Sequence, residues 1–166
     1  MTEQALRSHT CCFTGHREIA PIHERLLPAL LEHVIRDLIE LGVSRFVTGG
    51  ALGFDTLAAE AVLRLRADRP SLHLTVIAPY LRQPAAWGAV DRMRYERIRA
   101  AADDFRVLRA RYTPNCMRER NHAMVDLSGT CVAYCLHEPS GTSQTVDYAL
   151  QSGLAVIDLT EKLTKL

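Results

Sequence analysis

Short apolar runs along this chain alternate with longer stretches in which apolar residues recur every three to four positions. The runs at Thr10–Thr14, Ser44–Thr48, Leu72–Ala78, Phe105–Leu108, Thr130–Leu136 and Ala155–Leu159 predict strands. Leu72–Ala78 is continuously apolar, as expected of a strand covered on both faces of a parallel sheet. Leu30, Leu31, Val34, Ile35, Leu38 and Leu41 form one stripe of a helix that begins near Pro28 and stops at Gly42. A second helix, about 55–66, turns Leu57, Ala58, Ala61, Val62 and Leu65 inward. Further helices are expected from Trp87 to about Ala102, from a Thr113-Pro114 N-cap and N1 pair to about Leu127, and over Ser143–Gln151 before Gly153. Residues 1–9 and 161–166 read as loose ends. This alternation predicts an α/β fold: a doubly wound, mainly parallel sheet of about six strands with helices on both faces.

At 166 residues, with no repeat, linker or low-complexity stretch, the chain reads as a single domain over 1–166. A hydrophobic content of 48% and a charged content of 23% place it with ordinary globular proteins rather than disordered ones. The formal net charge of +1 argues neither for nor against nucleic acid as a partner of the molecule as a whole. Arginines nonetheless crowd the segment from Arg92 to Arg120. They fit a solvated helix face with i,i+4 pairs such as Arg92 and Glu96, or, in a sharper reading, a basic rim for a polyanion. Five cysteines without a C-x-x-C pair point to a reducing compartment. No signal-type leader and no apolar run of spanning length is present in this sequence, so a cytoplasmic location and no membrane partner are expected.

The candidate chemistry sits just after the strands. Gly15-His16-Arg17, Thr48-Gly49-Gly50 with Gly53 and Asp55, Pro79, and Ser140-Gly141-Thr142 all fall where strand carboxyl ends share one edge. Glycines let backbone approach a ligand, helix N-termini offer free N–H groups, and Arg17 supplies a guanidinium. Together they predict a phosphate-binding notch. Neither a Walker A loop nor G-x-G-x-x-G is present. Asp55 fits a helix N-cap better than a catalytic acid, and Ser140 or Thr142 can cap the helix that follows. Arg120 and Asn121, between Met117 and Met124, can face the notch if their helix packs beside it. Trp87 is read first as packing and second as a base-stacking ring. The histidines lack metal-ligand spacing, and no metal is expected.

The segments Cys11–Arg17, Gly50–Asp55 with Ala58-Ala59-Glu60, Pro79, Gln83 and Trp87, Tyr112-Thr113-Pro114, Arg120-Asn121, and Gly141-Thr142 with Thr145 together resemble the YpsA-like family of the SLOG (SMF/DprA–LOG) Rossmann-like superfamily. The resemblance covers nearly the whole chain. It implies a Rossmann-like fold binding a nucleotide or nucleotide-derived phosphorylated ligand such as AMP, ADP-ribose, NAD or a nucleotide sugar, with no cofactor required. Gly15, His16, Arg17, Gly49, Gly50, Gly53, Ser140, Gly141 and Thr142 would then form the phosphate cradle, with Arg120 and Asn121 adding contacts and Gln83 and Trp87 on the ribose or base side. Two relatives suggest alternatives. LOG enzymes hydrolyse nucleoside 5′-monophosphates; Met117, Arg120 and Met124 fit their Met-x-x-Arg-x-x-x-Met helix, but the position of their catalytic Glu is Thr145. DprA binds single-stranded DNA, and Gly53-Phe54-Asp55, Arg120-Asn121 and Ser140-Gly141-Thr142 resemble its segments. A homo-oligomer is also expected from the superfamily.

Overall fold

A computed structural model describes residues 1–166 and places strand β1 (Thr10–Gly15) in the interior of a six-stranded parallel sheet. The other strands are β2 (Arg45–Thr48), β3 (His73–Tyr80), β4 (Asp104–Arg109), β5 (Thr130–Tyr134) and β6 (Ala155–Asp158). Their order is β4-β3-β2-β1-β5-β6, with every neighbouring pair parallel. The fold is therefore Rossmann-like. The helices are α1 (Glu3–Ser8), α2 (Leu27–Glu40), α3 (Phe54–Arg66), α4 (Ala89–Ala101), α5 (Cys116–Asp126), α6 (Gly141–Gln151) and α7 (Leu159–Thr164).

Two cores of unequal size cover the sheet. Successive residues in a strand point to opposite faces, so Cys11 and Phe13 enter one core while Cys12 enters the other. The larger core, of 23 buried residues, packs α2, α3 and α7 over Phe13, Phe46, Leu74 and Tyr134. The smaller, of 8, seats α5 and α6 through Met124, Val125 and Ala149 on Cys12, Val47, Ile77 and Cys131. The chain winds outward from β1 to β4, then returns through α5 to place β5 on the other side of β1. That reversal leaves a crevice between the carboxyl ends of β1 and β5.

Several expectations need correction. Residues 3–8 form α1 rather than a loose end; it buries nothing and is started by the Thr2 side chain accepting from the Ala5 N–H at 3.1 Å. The chain end is helical as well. Leu159 belongs to α7, not β6: Asp158 caps the helix, and Leu159 and Leu163 bury the i,i+4 face. Leu41 falls off the α2 stripe and is 82% exposed. Helix α5 starts later than the Thr113-Pro114 pair suggests, with Asn115 in the cap position and the Cys116 N–H donating to the Thr113 carbonyl. In the arginine-rich segment the ion pair is not Arg92 with Glu96. Arg94 reaches across to Glu60 on α3, and Arg109 forms a fork with Glu119 at 2.9 and 3.0 Å.

Candidate functional site

The crevice between β1 and β5 holds a cavity of about 280 Å³. Its floor is the end of β1, Thr14 and Gly15, and its rim on one side is His16 and Arg17. Ala51 and Asp55 enter from the β2–α3 turn, Met117, Arg120, Asn121 and Met124 from α5, and Gly141 and Thr142 from the first turn of α6. Four chain segments distant in sequence therefore meet at one notch.

Most glycines near this notch work on the protein rather than on the cavity. A Cβ on Gly15 would collide with the Phe54 ring, which fills the space beneath it and stacks on Tyr134 at 5.8 Å. Gly53 has φ +74 and lies against the Arg17 carbonyl, and the Phe54 N–H donates to the His16 carbonyl at 3.1 Å. The two loops are thus clamped together backbone to backbone. Gly141 is different. A Cβ there would meet nothing within 4 Å, because the space in front of it is the cavity.

Arg120 forms part of the wall and is 5% exposed. Its Nη1 donates to the Gly49 carbonyl at 2.5 Å and its Nε to Asn121 Oδ1 at 2.8 Å, so it ties α5 to the β2–α3 turn. Burial lowers its pKa, while Asp55 opposes that shift. Asp55 is not the N-cap of α3; Gly53 is. From the second helical position its Oδ2 accepts from the Ala51 N–H at 3.2 Å. Burial pushes this carboxyl up from 3.8 to about 6, against the opposing pull of Arg120, the Ala51 N–H and Arg17. Arg17 makes no ion pair within 4 Å and stands exposed at the rim.

His16 is oriented by two bonds. Its Nε2 accepts from the Leu136 N–H at 2.8 Å, and its Nδ1 lies 3.4 Å from Thr142 Oγ1. Since the amide can only donate, Nε2 carries no proton and Nδ1 carries it, leaving the Thr142 hydroxyl hydrogen free to point into the cavity. Burial, then His137, lowers the His16 pKa. Ser140 caps α6 with a full capping box: its Oγ accepts from the Ser143 N–H at 3.0 Å and Ser143 Oγ accepts from the Ser140 N–H at 2.8 Å.

The structure thus brings together Gly15, His16, Arg17, Asp55, Arg120, Asn121, Gly141 and Thr142 at the cavity. The remaining candidates stand behind or beside it. Thr48 is fully buried and its hydroxyl donates to the Asp55 carbonyl at 3.3 Å. Gly49 and Gly50 lie in the turn that Arg120 and Gln83 hold, the latter through Gln83 Nε2 to the Gly50 carbonyl at 3.3 Å. Pro79 is within β3, and Trp87 packs edge-on against Tyr95 at 5.4 Å. Thr145 donates to the Gly141 carbonyl at 2.9 Å and borders a neighbouring hollow between α5 and α6. Thr14, Ala51, Met117 and Met124 also line the cavity without having been singled out as ligand residues. Thr14 was the legible one, as the last strand residue before Gly15.

A family model described as the YspA SLOG family matches residues 13–153. A UPF0398 protein of Halalkalibacterium halodurans is 35% identical over 121 residues, covering 71% of this chain and 64% of that protein. The SPbeta prophage-derived protein YoqJ of Bacillus subtilis is 31% identical over 122 residues, 66% of this chain and 71% of that one. Among solved structures, DNA processing protein A (DprA) of Streptococcus pneumoniae aligns with a TM-score of 0.64 at 16% identity, over 92% of this chain and 50% of that one. DNA processing protein A of Helicobacter pylori, described with its single-stranded DNA binding mode, aligns at 0.65 and 17% identity, over 94% and 66%. This chain therefore spans half to two thirds of those two proteins, and shares their fold. By the extent of the family match and the identity to its curated relatives, the chain belongs to the YspA branch of the SLOG family.

Proposed function

We propose that the protein binds a nucleotide or nucleotide-derived phosphorylated ligand, with a phosphate seated in the β1/β5 cavity. One observation carries this reading: a single small cavity joins the free guanidinium of Arg17, the Thr142 hydroxyl and the first turn of an eleven-residue helix around open space at Gly141. Unbonded N–H groups and the positive end of the α6 dipole favour an anion there. Each charge-assisted contact contributes about 1.5–3 kcal/mol. Arg120, already bonded to Gly49 and Asn121, adds positive potential and holds the wall.

Binding is favoured over hydrolysis by the arrangement of acids. Activating water at a glycosidic carbon needs a positioned carboxylate. Asp55 is the only carboxylate lining the cavity, and it is held by the Ala51 N–H; the hydroxyl of Thr145 is turned to its own helix. Single-stranded nucleic acid is the second reading, favoured by the fold shared with DNA processing protein A. Stacking rings would serve it, but Tyr80 packs on Tyr112 and Trp87 on Tyr95, away from the cavity.

Thermal melting against AMP, ADP-ribose, NAD, a nucleotide sugar and oligo-dT separates these readings. A ligand present at a hundred times its Kd stabilises by about 2.7 kcal/mol. For a domain of this size that raises Tm by roughly 5–10 °C. A shift with the small nucleotides that Gly141→Val removes, while the variant melts normally without ligand, supports the proposal. A shift with oligo-dT alone that collapses in salt refutes it in favour of nucleic acid.

A further inference from the structure

We propose that a second hollow, on the far side of Arg17 from the cavity, is the subsite for the planar base of the nucleotide; this rests on the phosphate reading above. The hollow measures about 460 Å³ and shares His16 and Arg17 with the first cavity. Its other walls are Glu18, Ile19, Ala20, Pro21, Leu136 and His137, so one carboxylate borders an otherwise apolar and aromatic lining. The two spaces differ in chemistry. The first offers hydroxyl, amide and guanidinium groups beside His16, whereas the second adds apolar side chains and a second imidazole, His137.

The imidazoles form a built surface. His16 and His137 stack with centroids 4.2 Å apart and planes within 4°. His16 cannot turn without losing the Leu136 N–H bond, and it is held neutral by accepting that bond on Nε2. One face of His137 is therefore covered by the oriented ring of His16, while the residue itself remains exposed at the hollow. Beside it Leu136 is 42% exposed. An exposed leucine next to an imidazole already stacked on one face is surface that a heterocycle can cover.

The opposite wall is preformed too. The Ala20 N–H donates to the Tyr134 hydroxyl at 3.1 Å, and that hydroxyl in turn lies 2.8 Å from His23 Nδ1. Tyr134 is fully buried, so the 17–23 segment is anchored to the core rather than draped over solvent. Arg17 stands between the two spaces, where a ribose bridging phosphate and base would pass. Neither Gln83 nor Trp87 lines either space: Gln83 is buried against Gly50 and Trp87 packs edge-on against Tyr95.

The test is calorimetric titration of the whole chain with AMP, CMP, ribose 5-phosphate and inorganic phosphate. AMP should bind tighter than ribose 5-phosphate. His137→Ala should weaken AMP by about five- to a hundredfold, the range for losing one stacking partner, and leave ribose 5-phosphate unchanged. His137→Phe should restore AMP binding. Because His137 is exposed, neither variant threatens the fold, and unchanged ribose 5-phosphate affinity checks this directly. Equal affinity of AMP and ribose 5-phosphate, or an equal loss of both in His137→Ala, overturns the base subsite. If Gly141→Val still abolishes ribose 5-phosphate binding in that case, the phosphate reading survives alone. A selective loss of AMP in Met117→Ala but not in His137→Ala would move the base to the α5–α6 side and overturn the proposal. No binding by any of the four probes overturns the base subsite, and no binding of ADP-ribose, NAD or a nucleotide sugar in addition overturns the phosphate reading.

Discussion

Asp55 is the residue whose charge state governs the notch. Its carboxyl titrates near 6 because burial outweighs the pull of Arg120, the Ala51 N–H and Arg17. The folded state therefore holds a proton between pH 3.8 and about 6 that the unfolded chain has released. With the folded pKa raised, the contribution to stability is present at low pH and lost as pH rises through that window. Asp55→Asn should flatten this loss, and urea midpoints of the two proteins between pH 4 and 7 would show it; parallel curves would contradict the assignment. The same proton sets anion affinity. NAD is the suitable probe, because its diphosphate carries no ionisation near 6, unlike a phosphate monoester, whose second pKa is about 6. Wild-type affinity for NAD should rise as pH falls through about 6, and the Asp55→Asn affinity should vary much less. What the variant retains belongs to His16, whose pKa is lowered and whose protonation would break the Leu136 bond.

At the scale of elements, Tyr134 joins the sheet to the loop that forms one side of the site. Its hydroxyl, at the end of β5, accepts from Ala20 and pairs with His23, while its ring lies on Phe54. Tyr134→Phe keeps the ring but removes the partner of the half-buried Ala20 N–H, at about 0.5–1.5 kcal/mol. A urea titration should show a lower midpoint with an unchanged slope; an unchanged midpoint would mean that the loop is held by other contacts. This link had no signature in the sequence, because it joins residues 114 apart. The inner strands were legible, since burial on both faces demands apolar runs such as that of β3, and α2 and α3 were legible from their stripes. Helix α1 was not, having no buried residue to generate a period. Gly15 and Gly53 were legible as special but not as to purpose. A glycine that admits Phe54 and one that admits a ligand read alike until the neighbours are placed.

Across the whole molecule, the site lies where two layers of unequal strength meet. The face carrying α2, α3 and α7 rests on 23 buried residues, and the face carrying α5 and α6 on 8. Fewer buried apolar contacts mean a lower free energy of local opening, so α5 and α6 should exchange their amide hydrogens sooner than α2 and α3. The cavity is walled from both layers: Asp55 and Ala51 come from the α3 side, and Arg120, Gly141 and Thr142 from α5 and α6. A ligand held between them binds only the closed arrangement and so penalises opening of the weaker layer, by up to about 2.7 kcal/mol at a hundred times its Kd. Saturating AMP should therefore slow exchange in residues 116–126 and 141–151 by up to about a hundredfold, and leave the interior of α2 nearly unchanged. Exchange measured by mass spectrometry with and without AMP would test this. Protection confined to α4 and the β4 edge would place the ligand elsewhere on the sheet. Protection of α5 and α6 that persists in Gly141→Val would separate their stability from occupancy of the notch.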